Sequence, residues 1–128
     1  MILGIGIDLV SVPRFEKALA RWGDSLRQRL FTAGELAYAM GRSRPGLHLA
    51  ARFAAKEAVF KALGFSSGLG FRWTDVEVTR VPGEGPRVRL RGRALAHARA
   101  RSVGRVLVSL SHEGDIAVAQ AVALEQAP

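Results

Sequence analysis

The order of the predicted elements places this 128-residue chain in the α+β class. One β-rich strand is followed by three or four helices, and two hairpins separated by a single helix come after them. Hairpin strands with helices grouped apart from them favour an antiparallel sheet over a doubly wound parallel one. We therefore expect a small antiparallel sheet packed on a long central helix plus shorter helices. At this length we expect a single domain spanning residues 1–128.

The first element is an apolar strand over residues 2–10 that contains two glycines. Gly4 and Gly6 lie inside the strand, without the third glycine and the following helix of a dinucleotide-binding loop. Glycines within a strand instead indicate that another backbone or a ligand comes close.

A cap or a stop residue bounds each predicted helix. Ser11 is a typical N-cap residue with proline close behind it. Thr32 and Glu35 match a capping box, which explains that glutamate better than acid–base chemistry does. Gly64 is a typical helix stop. The first predicted helix runs from Ser11 to about Arg21, and Gly23 ends it. A short helix then runs to Leu30, and a third helix follows Thr32 and ends near Met40. After a basic loop over 42–46, the fourth helix runs from Leu47 to Leu63.

The C-terminal half alternates between strand patterns and turn residues. A flexible or ligand-approaching loop over residues 66–70 precedes it. The predictions are a strand over 73–81, a turn over 82–86, a strand over 88–90, a helix over 91–101, and strands over 106–111 and 116–124 joined by a turn over 112–115.

Composition narrows the class of protein. The chain has no cysteine, which excludes a disulfide scaffold and thiol catalysis and fits a cytoplasmic protein. It has no apolar stretch long enough to span a bilayer, and its first residues make a poor signal peptide. The net charge of +8 favours an anionic partner, although composition does not say which one.

Two acids are candidates for chemistry. Asp8 stands in an apolar strand, where a buried unpaired carboxylate would be costly, so it should lie near a cation or solvent. Glu57 lies on the long helix and shares a face with Lys61, four residues on. If strand and helix are neighbours, the two carboxylates converge and suit Mg²⁺. The alternatives are a strand-end cap for Asp8 and an ordinary helix pair for Glu57.

Basic side chains form a second set of candidates. The first helix carries one basic stripe formed by Arg14, Lys17 and Arg21. This stripe is either a solvated face or a binding surface for an acidic partner. Trp22 on the same helix is expected to be available to the core. His48 and His97 lie on predicted helices, and we interpret them as structural or surface residues. His112 lies in a predicted turn, which is more typical of a surface residue than of a catalyst.

Several motifs follow one another along the chain in a specific order. They are residues 4–10 followed by 13–15, Phe31-Thr32 with Glu35, residues 52–64, Gly85-Pro86, and residues 110–112 followed by Ala117 and Ala119. Together they closely resemble holo-[acyl-carrier-protein] synthase, the short bacterial type of 4′-phosphopantetheinyl transferase. The resemblance covers essentially the whole chain.

The resemblance implies both a fold and a reaction. The fold is that of the 4′-phosphopantetheinyl transferases. The reaction moves the 4′-phosphopantetheine arm of coenzyme A to a serine of apo acyl carrier protein and releases adenosine 3′,5′-bisphosphate, in support of fatty acid biosynthesis. Asp8 and Glu57 match the acids that bind Mg²⁺ with the pyrophosphate, and Lys61 matches a lysine that meets the phosphates. The general base stays open between Glu57 and a Mg²⁺-bound water.

The resemblance also implies binding surfaces. Arg14 and Arg21 match first-helix positions that meet the acidic carrier protein, and family members of this length form homotrimers with active sites between subunits. Lys56 has no single match and could serve phosphate, a partner or only the helix surface. The positions that match the coenzyme A site are Arg52, Phe53, Lys61, Gly64, Gly85, Pro86 and His112.

Two other function classes compete with this enzyme. A basic nucleic-acid-binding module would use the arginines between residues 87 and 105. The chain has neither the paired strand aromatics of a common RNA-binding fold nor zinc-finger ligands, so we expect no nucleic-acid partner and no membrane partner. An inactive scaffold would have no use for Asp8, Glu57 and Lys61.

Overall fold

A computed structural model of the protein describes residues 1–65 and 70–128, so the loop predicted over 66–70 falls almost wholly outside the described residues. The described elements are β1 (Ile2–Ser11), α1 (Val12–Leu30), α2 (Ala33–Met40), α3 (Pro45–Ala62), a 3₁₀ turn (Trp73–Asp75), β2 (Val76–Val81), β3 (Gly85–Leu90), α4 (Gly92–Ala100), β4 (Val103–Glu113) and β5 (Ile116–Glu125).

The described strands form one antiparallel sheet and one antiparallel hairpin. The sheet has the order β1–β5–β4, and β2 pairs with β3. The long helix α3 packs on β1 and β5, α1 and α2 pack against α3, and α4 packs on β4 and the 3₁₀ turn. This arrangement confirms the predicted α+β class with a small antiparallel sheet on a long central helix. Among the described residues, no helix combines the length and the apolar character needed to cross a membrane.

Several predicted boundaries were wrong by a few residues. The 3₁₀ turn occupies the start of the strand predicted over 73–81, and β3 begins at Gly85 instead of residue 88. The strand β4 runs to Glu113, so His112 lies in a strand and not in a turn. The helix α3 begins at Pro45, which is compatible with a first helical turn because its missing N–H has no partner there anyway. At Gly23 a non-helical backbone (φ 58°) interrupts α1 where the stop was predicted.

Small residues line the face of the sheet that meets α3. The paired positions on that face are Gly4 with Ala123, Gly6 with Ala121 and Asp8 with Ala119. A Cβ atom built on Gly4 would lie 2.0 Å from the Ala62 carbonyl oxygen, and one on Gly6 would lie 2.0 Å from that of Ala58. The glycines predicted to permit a close approach therefore let β1 rest directly on the backbone of α3.

The opposite face of the sheet is apolar and exposed. Ile5, Ile7 and Leu9 of β1 keep 67%, 58% and 66% of their surface accessible. They pair with Val122, Gln120 and Val118 of β5. Exposed apolar side chains that are contiguous on one face indicate an interaction surface more often than a solvated one.

Replacement of Gly6 by alanine tests the close contact between β1 and α3. Because the new methyl group would overlap the Ala58 carbonyl, G6A should lower the free energy of unfolding by about 1–3 kcal/mol, as overpacking does. Urea unfolding measures the change. G41A is the matched control, because a Cβ at Gly41 meets nothing closer than 3.6 Å and its φ of −82° suits alanine. Equal stability of G6A and the wild type would contradict the packing described.

Candidate active site

Asp8 and Lys61 meet where β1 crosses α3. The Lys61 Nζ donates to the Asp8 Oδ1 at 3.2 Å and to the backbone carbonyl of Ile7 at 2.9 Å. The Asp8 side chain is mostly buried, whereas that of Lys61 is half exposed. The expectation that Asp8 lies near a cation is met by this lysine. The pairing also turns Lys61 toward β1, so its ammonium engages Asp8 across two elements.

Glu57 belongs to the same cluster of charges. Its pKa is raised, first by partial burial and then by the negative charge of Asp8, while Lys61 opposes the rise. The structure therefore brings the two carboxylates close enough to repel each other. We call Asp8, Glu57 and Lys61 the carboxylate cluster.

The chemistry of the carboxylate cluster fits a divalent cation. Asp8 makes Glu57 harder to ionise, and a bound cation such as Mg²⁺, which prefers oxygen ligands, would relieve that repulsion. The described residues hold no group of three or more acids and histidines suited to a metal ion. A cation held by Asp8 and Glu57 would therefore need further oxygens from water or a phosphorylated ligand.

A second charged region lies between α2 and the β2–β3 hairpin. A cleft of about 690 Å³ opens there, and we call it the basic cleft. Behind it, the Arg42 and Arg52 guanidinium carbons lie 4.3 and 4.1 Å from the centre of the Tyr38 ring, a cation–π geometry. The residues that line the basic cleft are Tyr38, Arg42, Arg80, Val81, Pro82, Gly83 and Gly85.

Arg52 is the unusual member of this region. Only 5% of its surface is exposed, and its Nε has no hydrogen-bond partner among the described residues. A buried charged donor without a partner is costly, and natural structures pair such groups. The charge of Arg52, 4.1 Å from the ring of Tyr38 in the lining of the basic cleft, adds to the positive potential of this region.

One histidine, His48, lies within electrostatic reach of Arg52. Burial lowers the pKa of His48, and the positive charges of Arg52 and Arg42 lower it further, with a smaller contribution from His112. His112 is exposed on β4 opposite Ala117. His112 is therefore within electrostatic reach of His48, whereas His97 places its Nε2 2.8 Å from the Leu63 carbonyl, a structural role.

The remaining predicted coenzyme A positions lie around these two regions. Phe53 stacks between Phe15 and Trp73, with ring centres 5.2 and 5.1 Å away, so much of its ring serves the core. Gly64 has a positive φ of 75° just after α3, and Arg101 covers the position where a side chain would stand. Gly85 and Pro86 begin β3 at the rim of the hairpin.

The basic stripe on α1 points to solvent, as predicted. Arg14, Lys17 and Arg21 are all exposed. The prediction for Trp22 was wrong: its side chain is 59% exposed, and the Arg21 guanidinium lies 5.0 Å from its ring centre. The backbone break one residue later, at the predicted stop Gly23, places Trp22 at the end of the first helical segment.

The position of Lys56 contradicts the three roles left open for it, which were a phosphate contact, a partner contact and the helix surface. Its side chain is fully buried, and its Nζ lies 2.7 Å from the Glu35 Oε1. The capping box of Glu35 with Thr32 is confirmed, but the same carboxylate also forms this ion pair. Spacing could not reveal it, because the partners are on different helices. The one available signal was that Lys56 stands in a helix flanked by small and apolar residues.

Comparison with known proteins places the chain in a family. Residues 4–121 match the family described as the 4′-phosphopantetheinyl transferase superfamily. A holo-[acyl-carrier-protein] synthase of Desulforudis audaxviator is 54% identical over 124 residues, which cover 97% of this chain and 94% of that protein.

Solved structures show the same similarity. The holo-[acyl-carrier-protein] synthase of Neisseria meningitidis has a TM-score of 0.86 and 32% identity, covering 98% of this chain and all of that one. A holo-(acyl-carrier-protein) synthase from Bacillus anthracis in complex with CoA (3′,5′-ADP) has a TM-score of 0.79 and 35% identity, covering 99% of each chain.

Proposed function

This chain belongs to the 4′-phosphopantetheinyl transferase superfamily, and we propose that it is a holo-[acyl-carrier-protein] synthase. It transfers the 4′-phosphopantetheine arm of coenzyme A to a serine of apo acyl carrier protein, in support of fatty acid biosynthesis. The observation that carries the proposal is the carboxylate cluster, which joins two acids and a lysine from two different elements. The lack of cysteine fits an enzyme of the cytoplasm.

The proposed reaction needs charge neutralisation more than a protein nucleophile. The serine oxygen of the carrier protein bonds to the phosphorus that bears the pantetheine. The bond from that phosphorus to the bridging oxygen breaks, and adenosine 3′,5′-bisphosphate leaves with the electron pair. The serine proton must pass to a base. Glu57, whose pKa is raised by burial and by Asp8, is a candidate from this chain.

Each residue of the carboxylate cluster has a separate role in charge neutralisation. Asp8 and Glu57 would hold Mg²⁺, which when bound supplies positive charge to the pyrophosphate oxygens. Lys61 is half exposed and can donate to a phosphate oxygen, where it would stabilise the charge of the departing group.

The basic cleft supports a place for the anionic nucleotide end of coenzyme A. Arg80 and Arg42 line its walls, and Arg52 offers an unpaired Nε behind Tyr38. Arginine is suited to phosphate because its planar fork donates more than one hydrogen bond. Gly85, Pro86 and His112 border this region in the proposal, with Phe53 and Gly64 nearer the carboxylate cluster.

Two surfaces remain for protein partners. The exposed arginines and Trp22 of α1 suit an acidic carrier protein, because charge attracts it and an aromatic ring supplies apolar contact area. The exposed apolar face of the sheet around Ile7 suits other copies of this chain, in a homotrimer whose active sites lie between subunits.

The transfer itself is the first test of the proposed function. Incubation of the protein with Mg²⁺, coenzyme A and apo carrier protein should raise the mass of the carrier by one phosphopantetheine group. D8N and E57Q should lose at least about a hundredfold in kcat, as when a charge-stabilising group is removed. Both should also lose the Mg²⁺-dependent rise in thermal unfolding temperature. E113Q, which alters an exposed acid on β4, is the control. Binding of RNA without affinity for coenzyme A would refute the proposal.

Separate substitutions distinguish the two substrate surfaces. R80Q should raise the KM for coenzyme A about tenfold, the worth of one hydrogen bond to a charged group, and leave the KM for the carrier protein unchanged. R21E should do the reverse, and its effect should fade at high salt because Arg21 is exposed. Steady-state kinetics with each substrate varied in turn measures both. If both variants change the same KM, the assignment of surfaces is wrong.

The oligomeric state tests the role of the exposed sheet face. I7D places a charge in the middle of that face, so the wild type should sediment as a trimer and I7D as a monomer with reduced activity. M40D is the control, since Met40 is equally exposed but lies at the end of α2, away from the sheet. A wild-type monomer at working concentration would exclude the homotrimer.

A further inference from the structure

The contact between Lys56 and Glu35 uses every donor of the lysine and both oxygens of the glutamate. The Lys56 Nζ donates to the Glu35 carboxylate at 2.7 Å, to the Trp73 carbonyl at 3.1 Å and to the Val76 carbonyl. An ammonium has three N–H donors, so none is left for a substrate. Both oxygens of Glu35 are engaged: Oε1 also accepts from the Thr32 N–H at 2.9 Å, and Oε2 accepts from the Val78 N–H at 2.9 Å.

These hydrogen bonds join four elements at one buried point. Glu35 comes from α2, Lys56 from α3, Trp73 from the 3₁₀ turn, and Val76 and Val78 from β2. A second link runs alongside, because the Thr32 hydroxyl donates to the Glu77 carboxylate. A network in which every member is paired holds its elements more rigidly than apolar contacts alone, since each bond has a preferred direction.

Three members of this network stand one repeat away from a residue that lines the basic cleft or lies behind it. Arg52 precedes Lys56 by one helical turn on α3, and Tyr38 follows Glu35 by one turn on α2. On β2, Arg80 lies two residues beyond Val78, on the same side of the strand. A displacement of the network would therefore move both walls of the cleft and the arginine behind it.

We infer that Lys56 and Glu35 are positioning residues for the basic cleft, whose walls on α2 and β2 they hold at a fixed separation. This inference rests on the proposed function, because the cleft is assigned there to the nucleotide end of coenzyme A. Neither residue touches substrate. Lys56 adjoins Glu57 in sequence, but its side chain leaves α3 in another direction, so the carboxylate cluster does not depend on this contact.

The double variant E35Q/K56M tests this role. Removal of only one partner strands a buried charge and risks unfolding, whereas the double variant removes both charges and keeps an amide to accept from the Val78 N–H. We expect its KM for coenzyme A to rise by about tenfold to a hundredfold, as misplacement of binding groups does. Its kcat and its KM for the carrier protein should stay at the wild-type values, and hydrogen exchange at Val78 should become faster.

A control separates positioning from loss of stability. V103A removes buried volume from β4, an element that contributes no residue to the network, and should lower the unfolding temperature without changing the KM for coenzyme A. If V103A raises the KM for coenzyme A as much as the double variant does, the contact is merely structural. The same conclusion follows if the double variant loses kcat and binds both substrates more weakly. A wild-type KM for coenzyme A or unchanged exchange at Val78 in the double variant overturns the inference.

These outcomes are distinct from failure of the proposed function. If the wild-type protein transfers nothing from coenzyme A, the assigned reaction is wrong. The inference that the cleft serves coenzyme A then falls with it, whatever the variants show. If the wild type is active and only the variant results disagree, the positioning role alone is refuted.

Discussion

The direct contact between β1 and the backbone of α3 is the constraint on which the site depends. Gly4 and Gly6 place no side chain between the strand and the helix, and the Ala58 and Ala62 carbonyls fill that space. Glycine in a strand costs backbone entropy, which the tight packing must offset. The alanines of β5 on the same face extend the close contact across the sheet.

The same contact sets up the chemistry. Asp8 follows Gly6 by two residues, so it points to the same face and reaches α3 where Lys61 stands. Glu57 lies one helical turn before Lys61, and its pKa is raised first by partial burial and then by the charge of Asp8. A bulkier side chain in β1 would therefore disturb the geometry of the charges as well as the core.

Charge is divided between two regions along α3. The helix presents Glu57 and Lys61 to β1 and carries Arg52 toward α2, about 7–8 Å along its axis from Glu57. One region suits a cation with phosphates, and the other suits an anion alone. Between them the same helix buries Lys56 against Glu35, so a single segment carries Glu57 and Lys61 of the carboxylate cluster, Arg52 behind the basic cleft and the lysine of the buried ion pair.

The sequence by itself determined the class of fold, the glycine positions that require close approach, the capping box and the residue types of the site. Those features depend on local periodicity, backbone freedom and motif, all of which are readable along the chain. Only the tertiary structure decided that Lys61 pairs with Asp8, that Trp22 faces solvent and that Lys56 is buried against Glu35. Each of these depends on which elements become neighbours, and residues 21 to 53 positions apart carry no mutual signal in one sequence.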